Sequence, residues 1–372
     1  DRRERGGDEE TDEHRLTLPQ PRREDITRAV GPEAFDYALP PAQIAQTPAD
    51  ARGASRLLVA TRQPAVHARA AELATYLPAD ALVVVNDSRV VPARIDATRD
   101  DGRSFELLLC APGPGQGPGT VVLAWVRGAK KLREGDELSL GSLRLRLVGP
   151  DAVDPRARRF EVVSGEVLPA LVAAGAVPLP PYIRRAADER DAERYQTVYA
   201  ATPGSVAAPT AGLHWTQSQL ADLDVVALTL HVGPGTFLPM EATDVAAHRV
   251  GSERVELSEV SAARIRAAQA DGRPIVAIGT TSTRALEGIA RDGGVRSFSG
   301  TTDLVITPGY PFAVVTHLVT NFHLPRSSLL MLVASFGGHA RVMACYREAV
   351  TAGYRFYSYG DCMLVDRASE AA

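Results

Sequence analysis

Four short polar clusters hold most of the side chains able to do chemistry: Asn86-Asp87-Ser88-Arg89, His231 with Gly233-Pro234-Gly235-Thr236-Phe237, Gly279-Thr280-Thr281-Ser282-Thr283-Arg284, and Asn321-Phe322-His323-Leu324-Pro325-Arg326. Imidazoles can move or hold a proton near neutral pH. Arginines pair with carboxylates or phosphates. Hydroxyls and free amides at a helix start suit an anionic or polyhydroxylated ligand. His214, in the segment Pro209-Thr210-Ala211-Gly212-Leu213-His214-Trp215, and Glu253 add a further imidazole and a carboxylate. His214, His231, His248 and His323 lack H-x-x-x-H spacing and sit in no recognisable ligand motif, so no metal site is expected. No G-x-S-x-G elbow, Walker loop or G-x-G-x-x-G occurs, which removes serine hydrolysis, nucleotide hydrolysis and hydride transfer as leading ideas.

Each cluster follows an apolar run of strand length, at 81–85, 224–231, 274–278 and 318–319. Continuous apolar strands belong to a parallel sheet covered on both faces. Functional residues in such sheets collect just past the strand C-termini. Parallel strands would therefore bring all four clusters to one edge. The stretch 318–338 reads as strand end, polar turn and buried helix: Ser327 or Ser328 suits the N-cap, 329–336 is apolar on every face, and Gly337-Gly338 stops it. Its N-terminus should point at Asn321, His323 and Arg326. The segment 203–215, rich in small residues, Gly and Pro, reads as a loop held close to something.

Between 92 and 166 the texture changes to alternating runs, at 105–109, 121–126 and 143–148, separated by Gly/Pro-rich turns, which reads as a small antiparallel barrel. Its basic residues, such as Lys130, Arg133, Arg144 and Arg146, are interleaved with acids, which suits a mixed solvated surface as well as a backbone-contacting one. Helices are expected at 70–77, 168–174, 258–272, from about 283, and at 340–352, with a further strand at 303–307 and an extended aromatic end at 354–365. The fold class is α/β: a Rossmann-like mixed α/β domain (27–91 and 167–372) with an inserted small all-β barrel domain (92–166), after a charged, disordered tail at 1–26. The chain has 372 residues, 45% hydrophobic and 23% charged, enough for two domains. Net charge of −4 gives no blanket attraction to nucleic acid, so RNA contact would need a local patch. Three separated cysteines without a CxxC pair suit a reducing compartment, and no run of about 18 apolar residues is present. A cytoplasmic protein with no membrane partner is expected.

Ten pieces, FDYALPPAQIAQTP, NDSRVVPARI, LPPYI, YQTVYA, PGSVAAPTAGLHW, LHVGPGTF, AIGTTSTRALE, PGYPF, LVTNFHLPRSSLLMLV and YRFYSYGDCMLV, cover about 35–365. In their order they resemble the S-adenosylmethionine:tRNA ribosyltransferase-isomerase family of queuosine synthesis. The resemblance implies an α/β domain with an inserted β-barrel, and an enzyme that spends S-adenosylmethionine as a ribosyl donor. The acceptor is the 7-aminomethyl-7-deazaguanine wobble base of tRNA, the product epoxyqueuosine, and adenine and methionine leave. S-adenosylmethionine is then a substrate, with no cofactor or metal, and a monomer is expected.

On that resemblance, roles can be offered. The sulfonium acidifies the neighbouring carbon, and Glu253, His231 or His214 could take its proton. His323 or Asp361 could assist adenine departure, and Arg284 or Arg89 could pair with the methionine carboxylate. Tyr182, Tyr359 and Phe237 could stack on a base. Asn86, Thr210, Gly233, Gly235, Thr236, Thr280, Thr281, Ser282, Asn321 and Arg326 complete the candidate substrate contacts. The chain departs from the family where Val250-Gly251-Ser252-Glu253 stands for Met-His-Ser-Glu, where Ser88 replaces Thr, and where Trp215 replaces Phe. The alternatives are a paralogue that ribosylates another deazapurine or RNA and, from a different class, a non-catalytic RNA-binding module.

Overall fold

The computed structural model describes residues 31–237, 251–291 and 293–369. The expected tail at 1–26, and His248, lie outside the described residues. In chain order the strands and longer helices begin with β1 (Arg56–Val59), β2 (Val66–Arg69), β3 (Leu82–Asn86) and β4 (Ser88–Val90). Next come β5 (Arg94–Arg99), β6 (Ser104–Leu109), β7 (Val121–Val126), β8 (Glu137–Leu140), β9 (Leu143–Pro150) and β10 (Ala157–Ser164). They are followed by α1 (Val167–Ala174), α2 (Glu189–Arg194), β11 (Thr202–Ser205), β12 (Asp224–Leu230), β13 (Glu253–Leu257) and α3 (Glu259–Ala270). The remainder is β14 (Ile275–Ile278), α4 (Gly279–Ala290), β15 (Phe298–Thr302), β16 (His317–Asn321), α5 (Ser328–Gly337), α6 (His339–Thr351) and β17 (Cys362–Asp366). The fold is mixed α/β with several sheets.

The main sheet has nine strands in the order β15-β13-β12-β3-β14-β16-β17-β1-β2. Its centre, β12, β3, β14 and β16, is parallel throughout. Both β3 and β14 are buried at every residue. Because successive side chains point to opposite faces and both faces are covered, these runs are apolar up to Asn86 at the end of β3. Leu82, Val84, Ile275 and Ala277 face one core with residues of α3 to α6. Val83, Val85, Val276 and Ile278 face a second core with Leu73, Leu77 and Trp215. Full burial of each such side chain stabilises by about 1.5–3 kcal/mol, so a strand with two buried faces anchors the sheet edge above it.

Between β4 and α1 the chain forms a closed antiparallel barrel, β10-β7-β6-β5-β8-β9, with its own core that includes Ile95, Leu107, Leu145 and Phe160. The alternation in β9 is visible as buried and exposed residues in turn. The interleaved charges pair on its surface: Arg99 with Asp136 at 2.8 Å, and Arg146 with Glu137 at 2.9 Å.

Two elements differ from the sequence expectation. Helix α4 begins at Gly279, directly after β14, instead of near 283. The turn is made at Gly279 with φ +91°, a conformation that a Cβ disfavours. The strand expected at 303–307 is instead β15, at Phe298–Thr302, paired with β13. Leu304 and Ile306 are buried, but the Leu304 carbonyl accepts from Arg284 Nε at 3.0 Å, so that backbone serves a side chain rather than a ladder.

Helix α5 is capped by Ser327, whose hydroxyl accepts from the Leu330 N–H at 3.2 Å, and it ends before Gly338, φ +85°. Among the described residues no single helix is long and apolar enough to cross a membrane.

Candidate active site

Because β12, β3, β14 and β16 run the same way, Leu230, Asn86, Ile278 and Asn321 end on one edge of the sheet. Asn86 knits that edge: its Nδ2 donates to the Leu230 carbonyl at 2.9 Å, and its Oδ1 accepts from the Leu230 and Ser88 N–H groups at 2.9 and 3.1 Å. Ser205 ties in the 203–215 loop, donating to Ser88 Oγ at 2.9 Å and accepting from the Val232 N–H at 2.9 Å.

Above β14 and β16 lies a concave pocket that opens to solvent, the kind of place in which small-molecule sites are found. The start of α4 (Gly279, Thr280, Thr281), Arg284, the end of β16 (Thr320, Asn321, His323), the 207–211 segment and Tyr357-Ser358 wall it. Of the residues singled out in the sequence, Thr210, Thr236, Thr280, Thr281, Arg284, Asn321 and His323 are brought together here. Ile278, the residue before α4, supplies no side-chain cap, so the first-turn amides of a twelve-residue helix open on the pocket.

The polar groups of this wall are only partly satisfied. Arg284 is 5% exposed; its Nη1 donates to Glu253 Oε2 at 2.6 Å, while Nη2 is buried without a partner. The Asn321 Nδ2 donates to the Tyr357 carbonyl at 2.9 Å, its oxygen faces His214, and Thr281 Oγ1 is unpartnered. Each buried group left this way costs about 1–3 kcal/mol. Two such atoms on one pocket, Arg284 Nη2 and Thr281 Oγ1, describe a place that a polar ligand completes. His323 Nε2 shares a proton with Thr320 Oγ1 at 2.8 Å, and burial pushes its pKa down to about 3, so the ring is neutral at pH 7.

Other candidates lie off this wall. Glu253 is buried behind Arg284, with its second oxygen accepting from the Gly233 N–H at 3.2 Å. Ser282 donates back to the Ile278 carbonyl at 2.8 Å inside the helix turn. Asp361 braces the 355–361 loop by accepting from the Arg56 and Arg355 N–H groups, both at 2.7 Å, and burial raises its pKa. Arg326 does not turn toward Asn321 and His323: its φ is +55° and its Nε donates to Asp36 at 2.8 Å. Arg89 is exposed, reaching the Ala200 carbonyl at 3.4 Å. Gly235 is also exposed. His231 packs against Gly204, with Nδ1 unpartnered; burial, then Arg254, lowers its pKa. His214 and Tyr359 line a neighbouring pocket. Burial pushes His214 down to about 4, with Asn321 acting in the opposite direction. Tyr182 supports the wall from outside: its ring meets Tyr357 edge-on at 4.1 Å, and its hydroxyl accepts from the Ser358 N–H at 3.2 Å. The side chain of Phe237 lies outside the described residues. Among those described, no group of three His, Cys, Asp or Glu is placed to hold a metal.

Tyr195, Tyr357 and Ser358 are wall residues that sequence reasoning missed as ligand contacts. Tyr357 holds φ +74°, a strained conformation for a non-glycine residue, fixed by its N–H on the Phe322 carbonyl at 2.8 Å and by the Gly360 N–H on its own carbonyl at 2.9 Å. A Cβ on Gly360 would stand 2.5 Å from Phe356 C and 2.6 Å from Arg355 O, both backbone. Gly360→Ala is therefore expected to destabilise by about 3 kcal/mol in urea unfolding, and to weaken ligand binding with it, because Tyr357 and Ser358 must move.

Comparison with known proteins adds to this geometry. A family model described as queuosine biosynthesis protein matches residues 32–365. The chain is 49% identical over 340 residues to the S-adenosylmethionine:tRNA ribosyltransferase-isomerase of Anaeromyxobacter dehalogenans (strain 2CP-C), covering 90% of this chain and 98% of that one. It is 47% identical over 357 residues to the protein of the same name from Nitratidesulfovibrio vulgaris (strain DP4), covering 89% and 96%. Among solved structures it is similar to the S-adenosylmethionine tRNA ribosyltransferase of Thermotoga maritima, with a TM-score of 0.50, 33% identity, and coverage of 89% of this chain and 99% of that chain.

Proposed function

The chain belongs to the queuosine biosynthesis protein family, and from that premise we infer that it is a transferase acting on S-adenosylmethionine and tRNA. The reaction moves and isomerises the ribosyl group of S-adenosylmethionine onto the 7-aminomethyl-7-deazaguanine wobble base, yielding epoxyqueuosine and releasing adenine and methionine. The observation that carries the reading on this chain is the pair of unpartnered buried atoms, Arg284 Nη2 and Thr281 Oγ1, at the start of α4 on one strand-end pocket.

Arg284 Nη2 and the α4 amides take the methionine carboxylate, a charge-assisted contact at a helix N-terminus. Asn321, Thr281 and Tyr195 hold the ribose and adenine. His323, neutral and held by Thr320, hydrogen-bonds the departing adenine as it gains electron density. Glu253 acts as a positioning residue that fixes Arg284, since both its oxygens are engaged. The sulfonium acidifies the neighbouring carbon, and the proton lost there is carried away on the departing adenine anion, which is released as neutral adenine. S-adenosylmethionine is consumed as a substrate, and the reading calls for no resident cofactor or metal. It also calls for a monomer acting in the cytoplasm, where both substrates occur. The parallel centre of the main sheet and the closed barrel support a Rossmann-like domain (27–91 and 167–372) carrying an inserted barrel domain (92–166).

The test is free adenine released from S-adenosylmethionine in the presence of tRNA carrying the aminomethyl-deazaguanine wobble base, beside the same tRNA without it. Release only with the modified tRNA is expected. Release with the free deazapurine alone would support the paralogue, and binding of RNA without turnover the inert module.

A further inference from the structure

A second, solvent-open pocket adjoins the first, sharing Ser358 with it, and is lined by Arg52, Arg194, Ser55, His214 and Tyr359. Its chemistry is cationic. Arg52 donates only to main-chain carbonyls, of Leu213 at 3.3 Å, Glu193 at 3.0 Å and Gln196 at 2.7 Å. Arg194 likewise reaches the Asp50 and Ala49 carbonyls at 3.2 and 2.7 Å, and its Nε is buried without an acceptor. The two guanidiniums are close enough that, after burial, Arg194 is the largest influence lowering the pKa of Arg52. Glu193 is exposed to solvent, and it works weakly the other way. The buried carboxylate nearby, Asp191, is already matched by Arg185 at 2.6 and 2.7 Å and by the Tyr359 hydroxyl at 2.8 Å. His214, 4% exposed, lines the same pocket and faces Asn321 of the first.

Carbonyl partners orient a guanidinium but do not neutralise it. Two positive charges with an unfilled buried N–H on Arg194 describe a site for an oxyanion. We propose that the Arg52–Arg194 pocket holds a backbone phosphate of the RNA acceptor next to the reacting nucleotide, seating the wobble base over the first pocket. This rests on the reading of the first pocket as the S-adenosylmethionine site: there Arg284 receives the amino-acid carboxylate, and the polynucleotide is the remaining source of an oxyanion. A phosphate clamp one residue from the nucleoside pocket fixes register without reading sequence.

The experiment is binding of an unmodified tRNA transcript across a salt series, for wild type, Arg194→Gln and Arg194→Lys, alongside the KM for S-adenosylmethionine in adenine release. Arg194→Gln is expected to weaken tRNA binding about 10-fold and to reduce the slope of log Kd on log salt by about 1. Its KM for S-adenosylmethionine should stay within about twofold. Arg194→Lys, which keeps the charge and loses the fork, should retain the salt slope. Unchanged tRNA affinity and slope in Arg194→Gln overturns the proposal. So does a raised KM for S-adenosylmethionine with tRNA binding intact, which would make the occupant the methionine carboxylate. Equal loss in both variants with an unchanged slope also overturns it, because Arg194 would then only brace the loop. Failure of the wild type to bind tRNA or release adenine would instead sink the functional reading itself.

Discussion

Arg284→Met is expected to lower kcat/KM for S-adenosylmethionine about 1,000-fold, mostly through a KM raised about 100-fold. Arg284 is 5% exposed and joined to Glu253 at 2.6 Å, so the substitution removes one ligand contact and strands a buried carboxylate. Truncating one partner of such a pair costs about 2–5 kcal/mol, and each 1.4 kcal/mol is about tenfold. Glu253→Gln separates positioning from proton abstraction. As a positioning residue, Glu253 should give a smaller loss of about 30-fold, again largely in KM, and the double variant should be little worse than Arg284→Met alone. A collapse of kcat in Glu253→Gln, with KM unchanged and additive to Arg284→Met, would restore it as the base. Steady-state adenine release for the three variants decides between them.

The contribution of His214 and His323 to stability is expected to fall by about 4 kcal/mol between pH 7 and pH 5, apart from that of carboxylates and of His231 and His317, which burial also lowers. Burial lowers His214 to about 4 and His323 to about 3 from an ordinary value of 6.5. Below 6.5 the unfolded chain takes up protons that the folded chain refuses, so stability is lost as pH drops through that range toward the folded values. Each histidine contributes about 1.36 kcal/mol per pH unit below 6.5, or about 2 kcal/mol by pH 5. Urea unfolding at the two pH values measures it. His323→Gln should halve this contribution, and a drop unaffected by that change would show that the ring is charged in the fold.

The apolar runs before Asn86, His231, Gly279 and Asn321 made the parallel centre legible, because a strand buried on both faces has no room for polar residues. The small-residue segment 203–215 likewise announced a loop pressed against a site, and 207–211 lines it. What could not be read was which way charged side chains turn. Arg326 leaves the cluster for Asp36, a partner 290 positions away, and Arg284 finds Glu253 across 31. Nor could periodicity distinguish 298–302 from 303–307, since the second run has the better strand composition but lends its backbone to Arg284. Asp361 looked like a catalytic acid by type and is occupied as a brace, a role fixed by two backbone N–H groups that no motif encodes.

Strand β17 lies between β16 and β1, so the first strand of the sheet can dock only on almost the last one to be synthesised. During translation β1 and β2 therefore wait as a hairpin apart from the sheet until β17 is made, and the cationic corner, which Ser358, Tyr359 and Gly360 also line, closes only then.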